Sequence, residues 1–473
     1  MKCKLSDFLI KFSIIPILYA ALDAATATII SVTILTVYRD LIGLFLRLKP
    51  MPVMDVCTFF GLDGSHSNIM SAIYFERLSA DKAKERFSLL ISKIPKMRYS
   101  IVNILGDLYY KELPQKQVLD IIFNEIPKDQ QLKDQKDIDR YISQNINIPF
   151  DFSRPQFEIF WQENYQEKFS LLLWKQHHSF CDGASLVSFI NSTADKFDIS
   201  ALFPIKEVSS VQKIILKLGI PFYFMKMIVA FLTLSFKENP LHDGKRQLTG
   251  RRFVSTGKFF EFNDVKECAK TYKVTINDLV TSCLSTAIKE YFRLQGDTKS
   301  NFVNLVIPAN IRFKHYQSIE DIKLENKFAV VPLRIPLFDD IKTSLREIPK
   351  ATSRLRSAFG EVYATYFMTK FATKYFPYFF SQWYVNFSSM AFTMALSNTP
   401  GILKPLELSG SKQIYGQSYI QTAGHCGLTF CILSYVDKIR MTVNVDESIM
   451  QEPEVLKDLV EKYLDQCIEM TKQ

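Results

Sequence analysis

The pattern of apolar and polar residues alternates between helical and strand periodicity along the chain. Residues 83, 87, 90, 91 and 94 are apolar at the spacing that gives an amphipathic helix one buried face. Residues 169–174, FSLLLW, form an apolar run short enough for a buried strand, and residues 183–197 are predicted to follow as a helix. Strands that alternate with helices predict an α/β or α+β fold.

The remaining predicted elements follow the same alternation. In the first half they are a strand at 71–78 and an exposed helical region at 115–141. In the second half they are strands at 258–262, 302–307 and 328–335, a helix at 278–292 capped by Asn277, a hairpin of residues 428–436 and 440–445, and a closing helix at 454–470.

Near the N-terminus, residues 13–38 are apolar over a length that can cross a bilayer core of about 30 Å. Asp23 lies near the middle of this stretch and costs roughly 2.5–3.5 kcal/mol on insertion scales. The stretch is too long for a signal peptide, and basic residues flank both of its ends, so the charge bias fixes no orientation. The sequence favours a membrane anchor or a re-entrant hairpin over a buried core helix.

Two later stretches are also rich in apolar residues. Residues 214–236 are interrupted by Gly219 and Pro221, which favours an interfacial amphipathic element over one straight span. Residues 366–396 are dense in Phe and Tyr, and Pro377 is expected to break or kink a helix there. This second stretch fits a membrane-facing surface, the lining of an acyl tunnel or a buried helix pair between domains.

The length of 473 residues predicts more than one domain. We expect a membrane anchor at 1–50, a first domain at 51–205, a crossover at 206–250 that is a candidate interfacial segment, and a second domain at 251–473. The net charge of +9 is spread along the chain, which is untypical of a nucleic-acid binder and suits anionic lipid head groups or the phosphates of a cofactor. The eight cysteines form no C-x-x-C pair, so we expect free thiols and no zinc site.

The residues with the clearest chemical meaning are HHSFCDG at positions 177–183, between the apolar strand and the following helix. Side chains alternate along a strand, so one histidine can face a reaction channel while the other supports the fold. A neutral imidazole is suited to taking a proton from an alcohol, which would then attack a thioester carbonyl. Asp182 is expected to buttress the loop or pair with an arginine, and Gly183 to permit the turn into the helix.

Two other interpretations of the histidine pair are weaker. The first is two satisfied structural histidines at a strand end, which is the usual reading of a lone histidine. The second is a metal site, but adjacent histidines on a strand do not both reach one ion, and no carboxylate and histidine nearby complete a set of ligands. His242, in the sequence His-Asp-Gly, lacks the tandem histidine and lies in a polar loop.

The H-H-x-x-x-D-G pattern resembles the signature of the CoA-dependent acyltransferases, and its surroundings resemble the wax ester synthase/diacylglycerol acyltransferase branch from about residue 51 onward. The supporting segments occur in the expected order: PVMD at 52–55, FDFSRPQFE at 150–158, TIND at 275–278, PANIR at 308–312, Asn326, SNTPG at 397–401 and the strands at 428–446. The branch usually has Pro-Leu-Trp where this chain has Pro155-Gln156-Phe157, which is a departure.

The resemblance implies two similar chloramphenicol-acetyltransferase-like domains with a tunnel between them and His178 as the general base. Acyl-CoA would be the co-substrate, with no permanently bound cofactor and no metal. The catalytic set would comprise His178, His177, Asp182 and Gly183. Asn277 is a candidate for positioning substrate or stabilising an oxyanion. Asp278 and Arg312 are expected to be structural, and the superfamily suggests an Asp182–Arg312 pair.

The resemblance therefore implies an O-acyltransferase that esterifies a long-chain alcohol or diacylglycerol at a membrane, with no nucleic-acid partner. We expect the endoplasmic reticulum, or else the plasma membrane, and a cytosolic catalytic domain, because acyl-CoA is made in the cytosol. Two alternatives remain. One is an acyltransferase for another acceptor, such as a sterol, a phenolic or an amine; the other is a non-catalytic lipid-binding protein on the same fold.

Overall fold

Two six-stranded sheets, each covered by helices, form most of the protein as described by a computed structural model of residues 12–60, 66–205, 207–232, 238–376, 378–422 and 424–472. The helices are α1 (Ile14–Ala21), α2 (Ala24–Leu46), α3 (Val53–Val56), α4 (Ala80–Lys93), α5 (Gln115–Ile122), α6 (Gln135–Asn145), α7 (Gly183–Thr193), α8 (Ser210–Leu218), α9 (Ile220–Leu232), α10 (Phe262–Thr271), α11 (Ile276–Leu294), α12 (Ile341–Ser357), α13 (Phe359–Tyr375), α14 (Tyr378–Ser389) and α15 (Pro453–Lys472).

The strands are β1 (Lys49–Pro50), β2 (Asn68–Glu76), β3 (Tyr99–Ile104), β4 (Asp107–Glu112), β5 (Phe123–Glu125), β6 (Phe157–Tyr165), β7 (Phe169–His177), β8 (Arg252–Glu261), β9 (Phe302–Asn310), β10 (Phe328–Pro336), β11 (Met394–Ile402), β12 (Glu407–Leu408), β13 (Ser411–Ile420), β14 (Leu428–Tyr435) and β15 (Lys438–Asp446). The alternation of strands and helices confirms the predicted α/β class.

The first sheet has the order β12-β13-β2-β7-β6-β5, and the second has the order β10-β9-β11-β14-β15-β8. The β7 strand is central in the first sheet, which explains why its sequence is a nearly continuous apolar run. On one face of this sheet, α4, α5 and α7 pack over a core that contains Phe87, Trp161 and Phe189. The second sheet packs against α10, α11, α12 and α15 around Leu284 and Phe430.

The β13 strand joins the two halves. It pairs with β2 in the first sheet, although it follows most of the second sheet in sequence. Side chains of β15 in the second sheet reach its backbone: Thr442 Oγ1 donates to Ser418 O at 2.6 Å, and Asn444 Nδ2 donates to Ile420 O at 3.0 Å. The predicted domain boundaries at 205 and 250 stay a prediction, and β13 from the second half of the chain belongs to the first sheet.

The N-terminal apolar stretch, which the sequence favours as a membrane anchor or a re-entrant hairpin, consists of two helices. Asp23 accepts a hydrogen bond from Thr26 N at 3.0 Å and caps α2, so the helix begins after this residue instead of burying it. The shorter α1 helix folds back on α2, where Tyr19 OH lies 2.7 Å from Thr28 Oγ1. Residues 1–11 lie outside the described part of the chain.

The α2 helix is long and apolar enough to cross a membrane, by length and composition alone, and it is the only such helix in the described ranges. Its buried positions repeat every four residues: Ala27, Ser31, Leu35, Arg39 and Gly43. This narrow stripe faces the body of the protein, where the Arg39 guanidinium donates to Met51 O at 3.0 Å. Only 22 % of its most apolar window is buried, so most of α2 faces away from the protein.

Two other sequence expectations require correction, and a third agrees with the structure. Residues 115–141 contain two helices separated by a strand and a short turn, because Pro127 and the polar residues after it interrupt the helical pattern. The N-cap of α11 is Thr275 and not Asn277, because Thr275 and Asp278 form a reciprocal capping box. The α13 helix ends before Pro377, a residue outside the described ranges, and α14 begins after it. The predicted break therefore falls at the expected place.

Candidate active site

The histidine pair occupies the turn that connects the central strand of the first sheet to a helix. The β7 strand ends at His177, and α7 begins at Gly183. Asp182 is the N-cap of α7, since its carboxylate accepts a hydrogen bond from Ser185 N at 2.9 Å. The strand and the cap therefore fix both ends of the HHSFCDG segment.

The His177 side chain is buried and points into the protein. Its ring stacks on Phe59 with centroids 4.2 Å apart, and its Nδ1 accepts a hydrogen bond from Ser179 N at 3.1 Å. Burial, with a smaller contribution from His178, lowers the pKa of His177 to about 3. His177 is thus neutral at ordinary pH and has the environment of a supporting residue.

The low pKa of His177 predicts acid sensitivity. Between pH 6.5 and about 3 the unfolded chain binds a proton at this position that the folded protein excludes. We expect the free energy of unfolding to be insensitive to His177 above pH 6.5 and to fall as the pH is lowered toward about 3. Denaturant titrations of the wild type and a His177→Gln variant across this range would check it. An equally steep decline in the variant would assign the acid sensitivity to other groups.

The His178 side chain is only partly buried. Its backbone N–H donates to Ser67 O at 2.7 Å, and its ring lies 5.2 Å from the ring of Phe328. On the other side, its Nδ1 is 2.9 Å from Asn326 Oδ1. Among the described residues, no hydrogen bond engages Nε2, so that nitrogen is left for chemistry.

Asp182 forms a buried ion pair with Arg312, at 2.8 Å between Oδ2 and Nη1, as the superfamily suggested. Burial alone would lower the pKa of Arg312, but the adjacent carboxylate outweighs burial and raises it. Asp182 Oδ2 also accepts from Lys327 N at 2.7 Å, and Arg312 Nη2 donates to Glu325 O at 2.9 Å. The carboxylate is therefore used to hold the chain, and it makes no hydrogen bond to His178 in the structure.

Gly183 does not adopt a left-handed conformation, so the turn itself does not require glycine. A Cβ at this position would meet Thr399 Oγ1 at 3.5 Å, an ordinary contact distance. The β11 strand, with its SNTPG sequence, therefore lies beside the start of α7.

The TIND segment lies at the N-terminus of α11. Asp278 is buried and accepts hydrogen bonds from Thr275 N and Thr352 Oγ1, which is the structural role expected of it. Asn277 is exposed, and its Oδ1 accepts a hydrogen bond from Asn398 Nδ2 of the SNTPG segment. The two segments thus meet, but no hydrogen bond connects either of them to His178 in the described structure.

Three residues that sequence reasoning did not place in the site form a chain of contacts that ends at His178. Asn326, two residues before β10, bonds to the His178 ring; Asp55, in α3, bonds to Asn326; and Lys96 bonds to Asp55. Asp55 and Asn326 belong to segments that supported the family resemblance, but spacing alone could not show that they meet. No group of three or more metal-ligating side chains occurs within the described ranges.

Comparison with known proteins shows which family the chain resembles. Residues 325–467 match the family model described as the WS/DGAT C-terminal domain. The chain is 21 % identical over 373 residues to wax ester synthase/diacylglycerol acyltransferase 5 of Arabidopsis thaliana, covering 68 % of this chain and 73 % of the relative. It is 22 % identical over 372 residues to wax ester synthase/diacylglycerol acyltransferase 4 of the same plant, covering 68 % of this chain and 70 % of the relative. Over about two thirds of its length the chain is thus similar to members of the wax ester synthase/diacylglycerol acyltransferase family.

Solved structures agree with this family in fold. The wax ester synthase/diacylglycerol acyltransferase from Marinobacter aquaeolei VT8 is 15 % identical and superimposes with a TM-score of 0.60 over 89 % of this chain and 99 % of that one. A starter condensation domain of rhizomide synthetase, solved with C8-CoA and Leu-SNAC, is 10 % identical. It superimposes with a TM-score of 0.59 over 91 % of this chain and 96 % of that one. The chain therefore has the α/β fold of these enzymes.

Proposed function

We propose that this acyltransferase transfers the acyl group of acyl-CoA to the hydroxyl of a long-chain alcohol or diacylglycerol, with His178 as the general base. The observation that carries the proposal is the state of the His178 ring. Its Nδ1 is engaged by Asn326, and the partly exposed ring keeps Nε2 for an incoming hydroxyl. In this arrangement a neutral imidazole can act as a base near neutral pH.

The proposed reaction needs no covalent acyl-enzyme. The Nε2 lone pair of His178 removes the hydroxyl proton as the alcohol oxygen attacks the thioester carbonyl carbon. The tetrahedral oxyanion then collapses, the C–S bond breaks, and the imidazolium returns the proton to the CoA thiolate. The products are an ester and free CoA. Asn277 remains a candidate for positioning substrate or stabilising the oxyanion, and His177, Asp182 and Gly183 are proposed to build the turn that carries the base.

Acyl-CoA as the donor is supported by the family and by the related fold of a condensation domain solved with C8-CoA. We propose that it acts as a co-substrate and that no cofactor is permanently bound. The alternatives are another acceptor, such as a sterol, a phenolic or an amine, and a non-catalytic lipid-binding protein. The His178–Asn326 contact and the Asp182–Arg312 pair are intact, which favours an enzyme over a decayed site.

The test is an acceptor panel on membranes that contain the full-length protein. Labelled palmitoyl-CoA would be offered with hexadecanol, diacylglycerol, a sterol or a long-chain amine. We expect wax ester, triacylglycerol or both, and the preferred acceptor would define the activity. Product from the sterol or amine alone would replace the proposed acceptor, and no product from any acceptor with folded protein would favour lipid binding.

We also propose a membrane surface, formed by neighbouring helices with exposed apolar side chains. The α13 helix packs against α2, α8, α9 and α14, and Thr36 Oγ1 of α2 lies 3.0 Å from Tyr375 OH of α13. Large apolar side chains that are more than half exposed on these helices include Ile29, Phe45, Ile214, Leu218, Phe222, Leu232, Phe379, Trp383 and Phe387. Lys217, Lys370 and Lys374 lie among them and suit anionic head groups.

This surface predicts how vesicle binding responds to mutation. A Phe379→Asp/Trp383→Asp variant places two charges where side chains that are 59 % and 56 % exposed would enter lipid. We expect the fraction of full-length protein that floats with phosphatidylcholine/phosphatidylserine vesicles to fall by about tenfold, since each apolar side chain contributes on the order of 1–2 kcal/mol on burial.

The matched control is Leu294→Asp, which changes a 64 % exposed leucine at the end of α11, outside the proposed surface. Flotation of the double variant at the wild-type level would refute a role for α14 and leave α2 as the anchor. We propose the endoplasmic reticulum, or else the plasma membrane, with the catalytic body in the cytosol beside the acyl-CoA pool. Protection of that body from protease in sealed vesicles would refute this orientation.

A further inference from the structure

The environment of His178 raises the question of what orients its ring. The motif's own carboxylate does not, because Asp182 is bound to Arg312 Nη1, Lys327 N and Ser185 N. A base that takes a proton at one ring nitrogen needs the other nitrogen held, so that the correct tautomer faces the substrate. In the described structure the group in that position is the side-chain amide of Asn326.

We propose that Asn326 is a positioning residue for the reaction: its amide oxygen accepts the Nδ1–H of His178, and thereby fixes the tautomer whose Nε2 lone pair faces the acyl acceptor. This inference rests on the proposed function of His178 as the base. An asparagine that orients a catalytic histidine is known from cysteine proteases of the papain type, so the chemistry is sound.

The orientation of the Asn326 amide follows from its partners. Its Nδ2 donates to Asp55 Oδ1 at 2.8 Å and to the His178 carbonyl oxygen at 2.8 Å, so both amide hydrogens are used. A flipped amide would set its oxygen against these two acceptors, which have no proton to give. The oxygen therefore faces Nδ1, and because that oxygen can only accept, Nδ1 must carry the hydrogen.

Asp55 is in turn fixed from two other parts of the chain. Its Oδ2 accepts from Lys96 Nζ at 2.6 Å and from Tyr110 OH at 3.0 Å, and the carboxylate is fully buried. Lys96 Nζ also donates to Ser179 O at 2.9 Å, next to His178. A buried carboxylate whose lysine partner is only slightly exposed gives the amide a rigid acceptor.

The same geometry gives the motif aspartate an indirect part in catalysis. Asp182 accepts from Lys327 N, and Arg312 donates to Glu325 O, so the ion pair holds the residues on both sides of Asn326. Asp182 thus acts on His178 through Asn326. On the Asn326 side of His178, the two ion pairs are Asp55 with Lys96 and Asp182 with Arg312, and the charged residues Glu325 and Lys327 flank Asn326 in the chain.

The experiment compares Asn326→Ala with the exchange variant Asp55→Asn/Asn326→Asp, both as full-length protein in membranes. In Asn326→Ala we expect kcat to fall by about 10²-fold with the KM for acyl-CoA nearly unchanged, because a misoriented base affects the chemical step. The exchange variant keeps one carboxylate in this pair of residues but moves it from position 55 to position 326, next to Nδ1 of His178. We expect it to recover part of the lost kcat and to move the acidic limb of the kcat/KM profile to higher pH, because an adjacent carboxylate raises the pKa of an imidazole.

A purely structural role would change folded yield and would not move the pH profile. A wild-type kcat in the Asn326→Ala variant would overturn the inference. An acidic limb that stays at its wild-type pH in the exchange variant would also overturn it. If Asn326→Ala does not fold, the exchange variant alone decides the question. If the wild-type protein synthesises ester and the His178→Ala variant does not, the proposed function stands whether or not the inference about Asn326 is correct. Absence of ester synthesis in the wild type would instead refute the proposed function itself.

Discussion

Replacement of His178 by alanine is expected to lower kcat for ester synthesis by about 10²–10⁴-fold, the usual contribution of a positioned general base. Without the imidazole, the alcohol must attack with its proton still bound, or water must take that proton. The His178 ring is partly exposed, and the substitution removes one side-chain hydrogen bond, the bond to Asn326. We therefore expect the fold to survive. Initial rates with labelled palmitoyl-CoA and the preferred acceptor would measure the effect.

The matched control is His315→Ala, since His315 is a half-buried histidine outside the proposed site, and its Nε2 is bound to Phe203 O at 2.9 Å. Its rate should equal that of the wild type. If His178→Ala keeps the wild-type rate while remaining folded, the proton must leave through another group, and the proposed mechanism is wrong. If both variants lose activity equally, the loss reflects handling of the histidine-substituted protein and not chemistry at His178.

The sequence was sufficient to predict the elements with strong periodicity. The apolar run of β7, the helix after the HHSFCDG segment and the C-terminal hairpin all lie where the pattern placed them, because each buries a face with a regular spacing. The β13 strand was missed. Its sequence, SKQIYGQSYI, is largely polar because it lies between the two halves and bonds to both, so it lacks the apolar signal of a core strand.

The site was predicted only as far as local sequence carries it. Adjacent residues in one segment revealed the two histidines and Asp182, and the superfamily suggested the partner Arg312. Asn326 and Asp55 lie 148 and 123 positions from His178 in the chain, and only the fold brings them to its ring. Asp23 shows the reverse case: a charge that looked like a defect within a span is a helix cap, a role that needs only local sequence and was overlooked.

The Asp182–Arg312 pair gives the largest expected effect on stability. Both side chains are almost fully buried, at 5 % and 6 % exposure. In Arg312→Ala the Asp182 carboxylate would remain buried without its cation, although Ser185 N and Lys327 N still donate to it. We expect the free energy of unfolding to fall by about 3–5 kcal/mol, as is typical when one partner of a buried pair is removed. Denaturant titration in detergent would measure it.

Two comparisons separate the buried charge from other effects of the mutation. Lys472→Ala breaks an ion pair with Asp264 whose side chains are 63 % and 43 % exposed, and it should cost less than about 1 kcal/mol. The double variant Asp182→Asn/Arg312→Met removes both charges, so it should be more stable than Arg312→Ala alone. If Arg312→Ala and Lys472→Ala lower the free energy of unfolding equally, water or a neighbouring side chain replaces the guanidinium beside Asp182. If the double variant regains stability but not kcat, the pair is needed to hold residues 325–327, and with them Asn326, against His178.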